Sequence, residues 1–510
     1  MKYFLAAFFL TLLYACGNPA PDQKQMPLLP ELTIAAIHAA YEAGEYTAED
    51  LATAYLARMD SLNGPLNAIT YRNPEALADA RRLDEEFVAT GKLRPLHGIP
   101  LLVKDNINTA GLPTTAGALA LKDFVAEDDA FIIKRLREAG AIIIAKTNMA
   151  EWAFSAMHTE SSTFGTTRNP YNLAYVPAGS SGGTAAAIAS NLATIGLGTD
   201  TGNSIRGPSS HNALVGFRTT LGLISREGIV PLYLRNDVVG PMCRTVADAT
   251  RMMQAMTGYD PADPITQRGA DHANIDYTGS LDLDGLKGAR IGVLRELSEA
   301  DVHPEISALF NQALADMERL GATVVDPVVV PNFAELRKSQ WCETFRADLE
   351  DFLATYVKND SIATLEDIVR IGSNNDYARR NVTFSLTKEG RYGDLPEPCG
   401  DTYTDARRIA FRDAIERTMD SLELDAIVYP SWNHPPALID SFEVQYLGDN
   451  SQIICPHTGQ PGFSVPMGYT TGDLPAGIQF LGRMFSEPTL VKLCYGFEQG
   501  TLHRKEPNPK

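Results

Sequence analysis

Between about residues 98 and 245 short apolar runs alternate with helical segments, and glycine-rich turns separate them. Ile99–Val103 and Ala141–Ala145 (AIIIA) are apolar bursts of strand length, as buried strands are. Ala130–Ala139 and Ala185–Asn191 read as helices, and Thr194–Gly198 as a further strand. Strand and helix in alternation predict an α/β layer structure, because each strand then has a helix at hand to cover it.

The flanking regions extend this pattern. Thr33–Tyr55 has helical periodicity, with Gly44 expected to break it in two. Asn73–Thr90 reads as a helix with Asn73 as cap and Pro74 at its first position. Asp282–Leu294, Ala322–Val330 and Asp425–Pro430 read as strands, and Leu336–Tyr356 and Thr404–Leu424 as helices. No linker or internal repeat divides them, so residues 32–505 are expected to form one intertwined domain with its core at about 98–245.

The N-terminus is different. Lys2 precedes an apolar run, Tyr3–Tyr14, of signal-peptide length and too short to span a bilayer. It ends in Leu13-Tyr14-Ala15-Cys16, which resembles the lipobox of bacterial lipoproteins. That resemblance implies a signal peptide over 1–16, lipidation of Cys16, a Pro-rich tether over 17–31, and attachment to the cell envelope on the periplasmic or outer-membrane side. Of six cysteines, five then remain, so at least one is free or paired between chains. No CxxC spacing occurs, and no metal or cofactor is expected. The net charge of −19 repels phosphate backbones and speaks against a nucleic-acid partner.

Three segments carry chemistry. Lys104 follows directly on the apolar run Ile99–Val103, a place where desolvation lowers a lysine pKa toward the range of a usable base. Pro177-Ala-Gly-Ser180-Ser181-Gly-Gly-Thr184 opens the helix at 185, where backbone N–H groups and a hydroxyl stand exposed. Gly198-Thr-Asp200-Thr-Gly202-Asn203-Ser204-Ile-Arg206 follows a strand, and its small residues let successive N–H groups converge on an oxyanion. Asp200 and Arg206 have opposite charge and are placed to brace this turn.

Together these segments resemble the amidase signature family. The spacing of 24 positions between Ser180 and Ser204 matches its pattern, and so do Thr114-Thr-Ala-Gly117, Ala145-Lys-Thr-Asn148, Gly240-Pro-Met-Cys-Arg-Thr-Val-Ala-Asp248 and Leu474-Pro-Ala-Gly-Ile-Gln-Phe480. The resemblance covers roughly residues 32–500. It implies a large mixed β-sheet between layers of helices and hydrolysis of a small-molecule or peptide amide. Ser204 would be the nucleophile, Ser180, in a cis peptide, the proton relay, and Lys104 the base. The N–H groups of Thr201, Gly202, Asn203 and Ser204 would form the oxyanion hole, with Ser181, Asp200 and Arg206 in support.

Asn203 and Ala178 stand where the family usually has glycine. Asn203 is expected to keep the turn because asparagine tolerates left-handed backbone, and Ala178 to be a mild change. Gly216-Phe-Arg-Thr-Thr220 also departs from the pattern and is expected to lie away from the chemistry. Two other readings compete. Gly179–Gly183 fits the G-x-S-x-G nucleophile elbow, which would make Ser181 the nucleophile of a Ser-His-Asp hydrolase. Alternatively, the chain is a solute-binding lipoprotein without chemistry. Some family members belong to a tRNA-dependent transamidase, a role that the export signal and negative charge oppose. Aromatic residues of 340–360 and 440–450 are candidates for a substrate pocket or for core packing.

Overall fold

The computed structural model describes residues 27–388 and 399–508. Its strands are β1 (Ile69–Arg72), β2 (Pro100–Lys104), β3 (Ile142–Thr147), β4 (Glu160–Ser161), β5 (Gly165–Thr166), β6 (Ile195–Asp200), β7 (Val215–Arg218), β8 (Val238–Cys243), β9 (Arg290–Val293), β10 (Thr323–Val325), β11 (Ala426–Pro430), β12 (Gly462–Thr470) and β13 (Leu474–Leu481). β4 and β5 form a small hairpin. The other eleven make one sheet in the order β1-β3-β2-β6-β8-β7-β12-β13-β11-β9-β10. It is mixed: β3, β2 and β6 run parallel, β6 through β11 pair antiparallel, and β11, β9 and β10 are parallel again.

Strands β2, β3, β6 and β8 are buried along their whole length, which is why they read as apolar runs and not as alternating ones. The first helices are α1 (Ile34–Ala43), α2 (Ala48–Leu66), α3 (Ala76–Thr90), α4 (Phe131–Glu138), α5 (Gly182–Ala189) and α6 (Arg206–His211). Gly44 does end α1, with φ 68. Asn73 is not the cap of α3: Glu75 occupies that position, while Asn73 accepts from Glu75 N at 3.0 Å and donates to Ile143 O at 2.7 Å. Its side chain makes a local turn and ties it to β3, which moves the helix start downstream.

Later elements are shorter than the sequence suggests. Only 290–293 and 323–325 of the two expected strands pair. Leu336–Tyr356 is not one helix: helix ends at Leu336 and resumes at Phe345. The break holds Cys342, joined to Cys399 in a disulfide with a Cα–Cα distance of 5.7 Å. Cys243, Cys455 and Cys494 are free and buried. Cys16 and most of the expected tether lie outside the described residues. Residues 27–31 rest on the body, where Leu29 is buried and Glu31 pairs with Arg504 at 2.7 Å.

Candidate active site

β2 and β6 are parallel neighbours with Val103 opposite Leu197, so Lys104 and Asp200 emerge at the same edge of the sheet. The crevice outside the carboxyl ends of parallel strands is where α/β proteins bind ligands. Lys104 is fully buried. Its Nζ donates to Ser180 Oγ at 2.7 Å and to Thr199 Oγ1 at 2.8 Å. Among the described residues no carboxylate lies within ion-pair distance of it. Burial pushes its pKa down from 10.5 to about 7, with Asp200 and Asp237 pulling weakly the other way.

Ser180 is fully buried at the entrance to α5, and the Gly179–Ser180 peptide bond is cis. The glycines around it have a steric reason. A Cβ on Gly179 would sit 2.3 Å from His158 O, and one on Gly183 would sit 2.1 Å from Asn148 O. Only a bare backbone lets the loop and α5 approach this closely. Ser181 Oγ donates to Thr199 O at 3.1 Å, joining the loop to β6. No strand precedes it, and Ser181 is fully buried, so the nucleophile-elbow reading lacks both its strand and an accessible hydroxyl.

Ser204 lies in the turn between β6 and α6. It is 4% exposed and lines a cavity of about 200 Å³ with Thr201, Gly202 and Asn203. Among the described residues, no acceptor is bonded to the backbone N–H groups of these four residues, although all four are buried or line the cavity. Buried N–H groups without partners are uncommon, and here they are available to a ligand oxygen. Ser204 Oγ donates to Asn203 Oδ1 at 3.4 Å, with no hydrogen bond to Ser180 in this resting arrangement. Such contacts tighten on substrate binding.

Two departures from the family pattern exchange their weight. Asn203 does not take a left-handed φ, so the turn needs no special tolerance there. Its amide donates to Ala156 O at 3.3 Å and is thereby seated on the cavity wall. Ala178, expected to be mild, has φ 60 and so carries the left-handed conformation that glycine would take freely.

Asp200 and Arg206 pair at 3.0 Å, and both are fully buried. Asp200 Oδ2 also accepts from Ile205 N at 3.2 Å, and Arg206 Nη2 donates to Gly202 O at 2.6 Å, so the pair clamps both sides of the turn. Burial alone would raise the Asp200 carboxyl, but Arg206 and Arg218 hold it at about 2. Arg218 corrects the sequence reading. Far from lying away from the chemistry, it pairs with Asp200 at 2.8 Å and also donates to the Asp200 carbonyl. Removing one member of a buried charge cluster typically costs about 3–5 kcal/mol.

Sequence reading also missed Thr199 and Asp237. Thr199 receives Lys104 and Asn106, and Asp237 accepts from Thr201 Oγ1 at 2.5 Å. Polar residues inside fully buried strands were the available signal for Thr199 and Arg218. The outer cavity wall comprises Phe154, Leu232, Tyr233, Trp341, Glu343, Asn381 and Gln452. Of the aromatics in 340–360, Trp341 lines the cavity, whereas Phe345 and Phe352 pack in a buried cluster behind it with Trp152 and Leu349. Phe442 stacks on His158 with centroids 3.8 Å apart.

Comparison with known proteins points to one family. A family described as Amidase matches residues 50–491. A probable amidase of Arabidopsis thaliana is 34% identical over 500 residues, covering 94% of this chain and 92% of that protein. A glutamyl-tRNA(Gln) amidotransferase subunit of Alkaliphilus metalliredigens is 34% identical, covering 92% and 96%. The native peptide amidase of Stenotrophomonas maltophilia superposes with a TM-score of 0.83 at 36% identity, covering 94% of this chain and 99% of that one.

Proposed function

This chain belongs to the amidase family and is an amide hydrolase, and we propose that it works through an acyl-enzyme on Ser204 with Ser180 as relay and Lys104 as base. The observation that carries the assignment is the buried Lys104 amine, without a carboxylate partner among the described residues, 2.7 Å from Ser180 Oγ. A lysine in that position is held near neutrality by burial and accepts a proton from a hydroxyl.

In this mechanism Ser204 Oγ attacks the carbonyl carbon, and its proton passes to Ser180 while the Ser180 proton passes to Lys104. The oxyanion accepts hydrogen bonds from N–H groups of residues 201–204. The C–N bond breaks as the same relay returns a proton to the leaving nitrogen. Water then attacks the acyl-enzyme, giving the acid and freeing Ser204. A peptide-like amide is the proposed substrate class, supported by the likeness to the peptide amidase. In the test, ammonia release from a panel of primary amides is compared for wild type, Ser204→Ala and Lys104→Ala. Rates are expected to fall by at least roughly a thousandfold in both variants. Activity surviving in either one sinks its assigned role.

We also propose export and a lipid anchor on Cys16. Support comes from the apolar run ending at Ala15-Cys16 and from the Cys342–Cys399 disulfide, a bond that persists in oxidising compartments. Cys16→Ser is expected to move the protein from the membrane to the soluble fraction. An unchanged membrane fraction would overturn the anchor.

A further inference from the structure

The side-chain amides around the Ser204 cavity all point the same way. Gln452 Nε2 donates to Asp449 Oδ2 at 2.8 Å and also to Tyr446 Oη. Tyr446 Oη in turn donates to Asp449 Oδ2 at 2.8 Å. A carboxylate accepts only, so this contact fixes which end of the Gln452 amide is nitrogen. Its oxygen is left at the cavity. A Cβ built on Gly202 would lie 3.2 Å from Gln452 Oε1, which puts that oxygen beside the nucleophile turn. Asn381 behaves likewise: Nδ2 donates to Tyr377 O at 2.8 Å, and its oxygen remains. The Asn203 amide nitrogen is turned to Ala156 O. The Thr201 hydroxyl is spent on Asp237. Glu343, on the same wall, adds a carboxylate, 3.0 Å from Lys388.

The cavity therefore separates its polarity. Its N–H groups gather at the nucleophile turn, where a carbonyl oxygen belongs. Its outer wall carries Gln452 Oε1 beside the nucleophile turn, with Asn381, whose amide nitrogen is engaged by Tyr377 O, and Glu343, which is paired with Lys388, further along it. Buried or half-buried acceptors left unpaired on ligand binding cost free energy, so a ligand without donors is disfavoured there.

We infer that Gln452, held by Asp449 and Tyr446, together with Asn381, selects amides whose acyl part carries N–H donors next to the scissile carboxamide, as N-acylated amino-acid amides do. Hydrocarbon acyl amides present nothing to these oxygens. The inference rests on the amide-hydrolase reading above and adds which part of the substrate is recognised. Asp449 and Tyr446 act through Gln452 and are positioning residues. Phe154, Tyr233 and Trp341 supply the apolar contact for a side chain.

The test uses the full chain and two probes differing in one atom: N-acetyl-L-phenylalaninamide and its O-acetyl-phenyllactamide analogue, in which oxygen replaces the N–H. Both release ammonia from the same primary amide. Wild type is expected to favour the N–H probe at least roughly tenfold in kcat/KM, and Gln452→Met to lose most of that preference. Asn381→Leu provides a second, independent variant and is expected to shrink the ratio in the same direction. Fluorophosphonate labelling of Ser204 checks that each variant keeps a folded, reactive site. Equal hydrolysis of the two probes by wild type would overturn the inference and leave the hydrolase reading intact. A preference that survives in both labelled variants would overturn it too. Failure of wild type to label at Ser204 would instead overturn the catalytic assignment, and this inference with it.

Discussion

Lys104 illustrates how one residue acquires its chemistry from its surroundings. Its sequence neighbours announce a charge at the end of an apolar strand, and burial then lowers its pKa to about 7. The sign follows directly. The base form is the neutral amine, so kcat/KM should rise with pH along a limb centred near 7 and level off above it. An unperturbed lysine, at about 10.4, would still be climbing at the top of any practical range. A pH profile of ammonia release decides between them, and an ascending limb centred above about 9 would overturn the assignment. Arg218 shows where residue-level reading stopped. It sits in a buried strand by the same pattern as Lys104, yet its partner Asp200 lies 18 positions earlier, at the end of β6, and β8 stands between the two strands. Nothing in a linear pattern pairs those two.

Among the elements, the cavity wall depends on a buried carboxylate. Glu151 accepts from Ser162 N at 3.1 Å, Ser162 Oγ at 2.5 Å and Ser373 Oγ at 3.0 Å. It thus ties the segment carrying Ala153 and Phe154 to the β4–β5 hairpin and to the approach of the helix bearing Asn381. Trp152 and Ala153 both have left-handed φ, at 54 and 60, so this segment is held in a shape it does not favour alone. Glu151→Ala should reduce unfolding free energy by about 2 kcal/mol, from hydrogen-bond donors left unpaired, and raise KM. Urea denaturation and steady-state kinetics on the variant check this, and an unaltered stability would refute the tie. The strand–helix alternation around β2, β3, α5 and β6 was legible because each element is short, apolar and bounded by glycine. The interrupted helix at 336–345 was not, because the break holds Cys342, whose disulfide partner Cys399 is 57 residues away and is announced by no local pattern.

Across the whole molecule, the disulfide closes a separation of 57 residues that contains Glu343 and Asn381 of the cavity wall, with Trp341 adjoining Cys342. The chain-entropy account gives about 4 kcal/mol for a loop of that length. The double variant Cys342→Ser, Cys399→Ser should lose stability of that order, and wild type treated with reductant should match it. Equal denaturation midpoints with and without reductant would count against a bond that supports the wall. Linear patterns were enough for the α/β class, the core strands and the Asp200–Arg206 brace, while the proposed trio Lys104, Ser180 and Ser204 was reached through the resemblance to a family. These rest on local properties: apolar runs, glycines that permit close backbone approach, and an ordered set of short blocks. What Lys104 and Asp200 touch, the tie of Asn73 to β3, and which oxygens face the substrate became settled in the folded chain. Those depend on strands brought together by an eleven-stranded sheet whose neighbours are far apart in the chain, such as β7 beside β12. Amide orientation at Gln452 depends further on a carboxylate and a phenol that only the folded loop brings to its nitrogen.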